Sequence, residues 1–203
     1  MVKMKFKAWF KDRTADRVLA PVRNCIADII EPNSNVLEIG SGTGHLLFLL
    51  QKKINSGVGI DIDQNMIDFA NNKRQNLNIN NLQFFNSKIE SIKDYSDLNF
   101  DVCTSTLCIH EMKYESAIAT LNQMAHNARR AIIADFSAPN TFTGKMGIEI
   151  DELISGHYSQ YCTYKKNGYL PYLVSLTEFS IVFTKETSVD GIKIWELKSN
   201  IFT

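Results

Sequence analysis

The run Val36-Leu37-Glu38-Ile39-Gly40-Ser41-Gly42-Thr43-Gly44 decides the fold class of this chain. An acidic residue stands inside a short apolar segment, and three glycines follow it at alternate positions. Glycine lets a backbone turn sharply and approach a ligand closely, and a helix that follows such a turn offers unpaired N–H groups. The order of strand, glycine turn and helix therefore predicts a pocket for a nucleotide-like cofactor.

The spacing of the glycines helps to distinguish a dinucleotide from other nucleotide-like cofactors. It reads GxGxG, and His45 occupies the position at which a dinucleotide-binding turn has its last glycine. Because that fingerprint is incomplete here, NAD is disfavoured as the cofactor.

Short apolar segments alternate with segments of helical periodicity on both sides of this turn. The predicted strands are Asn35–Ile39, Gly57–Ile60, Leu82–Phe85, Phe100–Thr104 and Ala131–Asp135. The predicted helices are Ala15–Ile30, Leu46–Lys53, Gln64–Asn76 and Tyr114–Ala128. Such alternation predicts an α/β fold of the doubly wound, Rossmann-like kind, with five parallel strands buried on both faces.

The alternation ends after Asp135. Residues 138–171 are rich in aromatic and polar side chains and contain several glycines, which predicts a small helical cap or lid. Ser180–Thr187 and Ile192–Lys198 alternate apolar with polar residues around Asp190-Gly191, a pair typical of hairpin turns. We therefore expect residues 1–203 to form one domain with residues 138–171 as a cap and an antiparallel hairpin at one sheet edge.

Composition disfavours several classes of partner. Lys and Arg together number 22 and Asp and Glu also number 22, so the formal net charge is zero and nucleic acid is not expected. The four cysteines lack CxxC spacing, which predicts neither a metal site nor a disulfide framework. Met1–Arg13 has no continuous apolar run, so we expect a cytoplasmic protein without a membrane span.

The glycine turn and the segment Gly59-Ile60-Asp61-Ile62-Asp63 together resemble the first two motifs of the class I S-adenosylmethionine-dependent methyltransferases. Asp61 stands 21 positions after Gly40, at the end of the second predicted strand. A carboxylate at that point can accept hydrogen bonds from both ribose hydroxyls of a nucleotide. Asp63 precedes a predicted helix, and capping that helix is its expected role. The resemblance implies that S-adenosylmethionine is the cofactor and methyl transfer the activity.

The segment Phe100–Met112, which reads FDVCTSTLCIHEM, is similar to the fourth-strand motif of the small-molecule branch, the ubiquinone- and menaquinone-type enzymes. Glu111 replaces one histidine of the pair in that motif. Residues 157–171 resemble a cap segment of bacterial members of the family. The resemblance implies a small-molecule acceptor, but an RNA or protein methyltransferase and a non-catalytic S-adenosylmethionine-binding protein remain as alternatives.

The resemblance also implies which residues bind the cofactor: Glu38, Gly40, Ser41, Gly42, Asp61, Ile62, Ser87, Lys88, Ile89 and Thr104. Lys88 departs from the family, which usually has an acid there to accept the adenine amino group. A lysine cannot accept that hydrogen bond. Adenine is therefore expected to be held by the backbone near Ile89, by the Ser87 hydroxyl or by packing.

Candidate residues for the chemistry lie after the fourth strand and in the cap. His110 is the first candidate for a general base, because imidazole titrates near neutral pH, although it could also merely orient a loop. His157, Tyr158 and Tyr161 are predicted to form an acceptor wall, with covering of a core edge as the alternative. At the N-terminus, the pair Trp9-Phe10 is expected either to lie over the cofactor or to hold the first helix against the sheet.

Overall fold

Apolar strands and helices alternate along the chain, and they form a seven-stranded sheet with helices packed against it. The computed structural model of the chain describes residues 15–88 and 99–202. The strands are β1 (Asn35–Ile39), β2 (Ser56–Asp61), β3 (Leu82–Asn86), β4 (Phe100–Thr106), β5 (Ala128–Phe136), β6 (Phe179–Glu186) and β7 (Ile192–Ser199). Their order across the sheet is β3-β2-β1-β4-β5-β7-β6.

The helices follow the strands in the predicted alternation. They are α1 (Ala15–Ile29), α2 (His45–Leu50), α3 (Gln64–Asn76), the short 3₁₀ helix η1 (Ile109–Glu111), α4 (Tyr114–Asn127), α5 (Phe142–Ser155), α6 (Tyr158–Lys166) and α7 (Tyr169–Val174). Within the described ranges, none of these helices is long and apolar enough to span a membrane.

Strand β1 lies at the point where the order of the sheet reverses. It pairs in parallel with β2 on one side and with β4 on the other. In open α/β sheets, ligands bind in the crevice at the carboxyl ends of the strands beside such a reversal. This topology therefore places the glycine turn after β1 and the η1 turn after β4 at the edge where a ligand is expected.

The predicted fold class is confirmed, including the five parallel strands, the cap and the antiparallel hairpin. Helices α5, α6 and α7 form the cap between β5 and the hairpin. Strands β4 and β5 are longer than predicted, because they pair with each other from Phe100 opposite Ala128 to Thr106 opposite Ala134. Helix α2 ends at Leu50, short of the predicted boundary.

Asp190 of the hairpin turn is hydrogen-bonded to the residues that begin the cap. Both carboxylate oxygens of Asp190 accept hydrogen bonds from this region, Oδ1 from Asn140 N at 2.8 Å and Oδ2 from Thr141 N at 3.0 Å. Thr141 in turn caps α5, because its hydroxyl oxygen accepts from Gly144 N at 3.0 Å. The sequence predicted Asp190 only as a turn residue, and the structure adds its contact with the cap.

Candidate cofactor and acceptor site

The turn after β1 depends on glycine for conformation and for space. Gly40 and Gly44 have φ angles of 67° and 76°, in the left-handed region that side chains rarely adopt. A Cβ on Gly40 would collide with Cys108 Sγ, and one on Gly44 would collide with the Phe84 ring. The turn is therefore packed against the loop after β4 at Gly40 and against β3 at Gly44, and it cannot accept larger residues at these two positions.

Asp61 holds this turn and the end of its own strand together. Its Oδ2 accepts from Gly42 N at 2.8 Å and its Oδ1 accepts from Asp63 N at 2.8 Å. A carboxylate offers about four lone-pair sites, so each oxygen can still accept a hydroxyl of a ligand. Asp63 caps α3 as predicted, since its Oδ1 accepts from Asn65 N at 2.9 Å.

A cavity of about 360 Å³ opens at the carboxyl ends of β1, β2 and β4. Asp61 and Ile62 form one wall, and the side chain of Ile62 is 76% exposed. A large apolar side chain exposed beside a carboxylate is suited to a ligand with a flat ring and hydroxyl groups. The residues that line the cavity are Ile39, Gly40, Ile60, Asp61, Ile62, Ser87, Lys88, Thr106, Leu107, Cys108, Glu111, Met112, Lys113, Ser116, Thr120 and His157.

The structure brings only part of the predicted cofactor set to this cavity. The residues that line it are Gly40, Asp61, Ile62, Ser87 and Lys88. Those buried beside it without lining it are Glu38, Ser41, Gly42 and Thr104. Glu38 and Thr104 are opposite each other in the β1–β4 pairing, so both lie within the sheet. Ile89 lies outside the described residues, as does the pair Trp9-Phe10.

Lys88 stands where the family usually has an acid that accepts the adenine amino group. Lys88 is exposed at the cavity rim. The Ser87 hydroxyl donates to the carbonyl of Lys88 at 3.1 Å, and Ser87 N donates to the carbonyl of Asp61 at 3.1 Å. Ser87 is therefore fixed next to Asp61, with its hydroxyl oxygen still able to accept.

His110 lies in the interior and is not among the residues that line the cavity. The ring is 2% exposed, and both of its nitrogens contact carboxylates. Nδ1 is 2.5 Å from Asp135 Oδ1, and Nε2 is 3.2 Å from Glu152 Oε1. Burial alone would lower the pKa of His110, but the Asp135 and Glu152 carboxylates outweigh burial and raise that pKa to about 10. A protonated imidazole with both nitrogens engaged cannot remove a proton from an acceptor, so this geometry favours the structural alternative.

Two carboxylates hold His110, and neither was predicted as a site residue from the sequence. Asp135 is the penultimate residue of β5 and also accepts from Ile109 N at 3.0 Å and Phe136 N at 2.7 Å. Glu152 is buried on α5 at the same helix face as Ile148. Asp135 stands in a buried strand and Glu152 on the buried face of a helix, where apolar residues are expected. An acid at such a position indicates a buried partner, and this was the signal in the sequence that could have identified them.

The three predicted acceptor residues of the cap do not lie together. His157 lines the cavity. Tyr161 is completely buried and packs edge-on against Phe136, with ring centroids 5.7 Å apart. Burial raises the pKa of Tyr161. Tyr158 is exposed and does not line the cavity. The structure therefore places only His157 where an acceptor wall was predicted, and Tyr161 covers the core instead.

His157 and Glu111 form a half-buried pair at the cavity wall. His157 Nδ1 is 3.4 Å from Glu111 Oε1, and each side chain is 38% exposed. A second cavity of about 310 Å³ lies between α4 and α6 and shares Met112 and Lys113 with the first. Residues of the cap thus contribute to the lining of both cavities.

A family model described as a methyltransferase domain matches residues 30–191. The chain belongs to this methyltransferase family. The matched region runs from the end of α1 to the hairpin turn, so it includes the glycine turn, the cavity and the whole cap.

Two curated proteins are similar to part of the chain. An rRNA adenine N-6-methyltransferase from Limosilactobacillus reuteri is 33% identical over 93 residues, which are 43% of this chain and 37% of that protein. The chain spans less than half the length of the curated relatives it matches, 37% and 41% in two cases.

Solved methyltransferases have the same fold. A SAM-dependent methyltransferase from Aquifex aeolicus has a TM-score of 0.65 at 14% identity, with 96% of this chain and 98% of that chain covered. Magnesium protoporphyrin IX methyltransferase from Synechocystis PCC 6803, solved with bound SAH, has a TM-score of 0.62 at 22% identity, with 91% and 83% covered. At these identities the likeness establishes the fold.

Proposed function

We propose that this methyltransferase moves the methyl group of S-adenosylmethionine to a small molecule. The observation that carries the proposal is the 360 Å³ cavity, which has Gly40 and Asp61 on one side and His157 of the cap on the other. Cavities of this size suit small ligands. The similarity of Phe100–Met112 to the small-molecule branch supports the same class of acceptor.

The residues at the cavity fit this cofactor. Asp61 would accept the ribose hydroxyls with the lone pairs that remain on its two oxygens. The exposed side chain of Ile62 would cover one face of the adenine. The absence of a side chain at Gly40 would let the methionine portion approach the backbone of the turn. When bound, the cofactor supplies an electrophilic methyl group carried on a sulfonium.

The protein's contribution to this reaction is mainly positioning. Holding the acceptor and the methyl group in a near-attack arrangement can supply up to about 7–11 kcal/mol of the barrier. His157 of the cap lies on the side of the cavity opposite Asp61. A cap that closed over the bound ligands would make the site drier, and a dry site favours a transition state in which charge is dispersed. Met112 and Leu107 give the cavity an apolar wall near the end of β4.

An RNA acceptor is the second candidate, because one relative is an rRNA methyltransferase. Two observations favour the small molecule. The chain has a formal net charge of zero, whereas RNA-binding proteins usually carry a basic surface. Enzymes of this class that act on amino groups usually have an Asn or Asp, two prolines and an aromatic after the fourth strand, and Thr104–Leu107 lacks them.

Incubation of the protein with methyl-labelled S-adenosylmethionine tests the proposal. One arm contains a metabolite extract and a matched arm contains total RNA, and mass spectrometry locates the label. We expect label in a small molecule and none in RNA. Labelled RNA alone would contradict the small-molecule acceptor, and cofactor binding by calorimetry without any labelled product would indicate a non-catalytic binding protein.

A further inference from the structure

Two side-chain pairs join the η1 turn to the cap, and they come from adjacent residues. His110 contacts Glu152 in the interior, and Glu111 contacts His157 at the cavity wall. The first pair is at most 3% exposed, whereas each member of the second is 38% exposed. The buried pair is thus protected from ligands, and the second pair is accessible to them.

The backbone fixes His157 at the junction of α5 and α6. Its N–H donates to the carbonyl of Glu152 at 3.1 Å, and its carbonyl accepts from Tyr161 N at 3.0 Å. Gly156, with a φ of 86°, ends α5 just before it. Because the side chain of Glu152 also contacts His110, the buried pair sets the position of His157 relative to the neighbouring Glu111.

Resting on the function proposed above, we propose that His157 is the general base for methyl transfer and that the acceptor presents a hydroxyl group. Glu111 is the positioning residue for the imidazole. Nδ1 of His157 is buried and lies 3.4 Å from Glu111 Oε1 without hydrogen-bond geometry, so it is the charge of the nearby carboxylate that favours a proton on Nδ1 and leaves the lone pair on Nε2. Histidine as a residue type changes charge near neutral pH, which suits it to this role.

The proposed step balances in protons and electrons. The acceptor oxygen forms a bond to the methyl carbon while its proton moves to Nε2 of His157. The carbon–sulfur bond breaks, and its electron pair remains on sulfur. The protonated imidazole is stabilised beside the Glu111 carboxylate and then loses its proton to water, because both side chains are partly exposed. The products are a methyl ether and S-adenosylhomocysteine.

A hydroxyl is the acceptor group that makes such a base useful. A carboxylate is already ionised at neutral pH and a thiol ionises readily, whereas a phenolic hydroxyl has a pKa of about 10. Base catalysis of this kind contributes typically about 10²–10⁴-fold in rate. The proposal therefore predicts both the residue that removes the proton and the class of acceptor.

The first test does not depend on turnover. Nitrogen-15 NMR of the wild-type protein at mildly alkaline pH reports which ring nitrogen of His157 carries the proton, with assignment by loss of the signal in His157→Gln. We expect the proton on Nδ1, and we expect Glu111→Gln to shift the signal. A proton mainly on Nε2, or no response to Glu111→Gln, would overturn the assignment.

The second test follows label from methyl-labelled S-adenosylmethionine into the metabolite extract. We expect His157→Ala to lower incorporation by about 10²–10⁴-fold while the dissociation constant of S-adenosylhomocysteine changes by less than about twofold. Added imidazole should restore part of the rate of His157→Ala, which a purely structural role would not allow. His126→Ala, which removes an exposed imidazole of α4, is the matched control.

Three outcomes would count against the proposal. Full incorporation by His157→Ala, with its fold verified by circular dichroism, would remove His157 as the base. A product methylated on a thiol or carboxylate would remove the acceptor class. No labelled product from the wild-type protein, despite cofactor binding, would overturn the function on which this assignment rests.

Discussion

Replacement of His110 by Gln should destabilise the fold strongly at low pH and much less at high pH. The side chain lies between Asp135 and Glu152 with almost no exposure, and the glutamine amide would keep one hydrogen-bond donor but no charge. Removing one member of a buried ionic group typically costs about 3–5 kcal/mol, because the remaining charge stays buried. Asp135 keeps its backbone donors, so Glu152 should account for most of that cost.

The pKa of His110 gives the same magnitude by a separate route. A rise in pKa from 6.5 to about 10 corresponds to roughly 5 kcal/mol in favour of the protonated ring in the folded state. Since the folded-state pKa is the higher one, this stabilisation is complete below pH 6.5 and is lost as the pH rises through about 10. The difference in stability between the wild type and His110→Gln should therefore shrink across that window.

Urea denaturation of both proteins at about pH 6 and about pH 10.5 measures this difference directly. Other groups also titrate in this range, but they are common to both proteins and cancel in the subtraction. His126→Gln, at an exposed position on α4, is the control and should change stability by less than about 0.5 kcal/mol. A difference for His110→Gln below about 1 kcal/mol, or one that is equal at both pH values, would refute the charged, doubly paired imidazole.

Three further predictions concern the cofactor and the cap. Asp61→Ala should raise the dissociation constant of S-adenosylhomocysteine by about 10- to 150-fold, the equivalent of 1.5–3 kcal/mol for hydrogen bonds to a charged group, and calorimetry showing no change would remove Asp61 from the site. Lys88→Asp should keep or improve cofactor affinity, because it restores an acceptor for the adenine amino group, and a large loss in the same assay would contradict the alignment after β3. Tyr161→Ala should lower the free energy of unfolding by about 3–5 kcal/mol, because it empties a fully buried site, whereas the exposed Tyr158→Ala should change it by less than about 0.5 kcal/mol; equal effects in thermal unfolding would contradict their placement.

Local patterns were enough to predict the fold class and the glycine turn and Asp61, which lie at one end of the cavity. The glycine turn, Asp61 and Asp63 depend on conformations and hydrogen bonds formed among strands β1 and β2 and the residues directly after them. Strand and helix periods are likewise local, so the order of elements could be read along the chain. The full lengths of β4 and β5 could not be predicted in this way, because the length of a strand depends on the strand it pairs with.

The contacts of the two histidines near the other end of the cavity were decided by tertiary structure. His110 and His157 are both imidazoles after an element boundary, and nothing near either residue in the sequence distinguishes a buried cation from a cavity-facing side chain. The distinction comes from Asp135 of β5 and Glu152 of α5. Their carboxylates contact the two ring nitrogens of His110, so the charged ring is paired although it is buried. Packing of the cap against η1 then brings His157 to Glu111 at the cavity wall, an approach that only the folded chain produces.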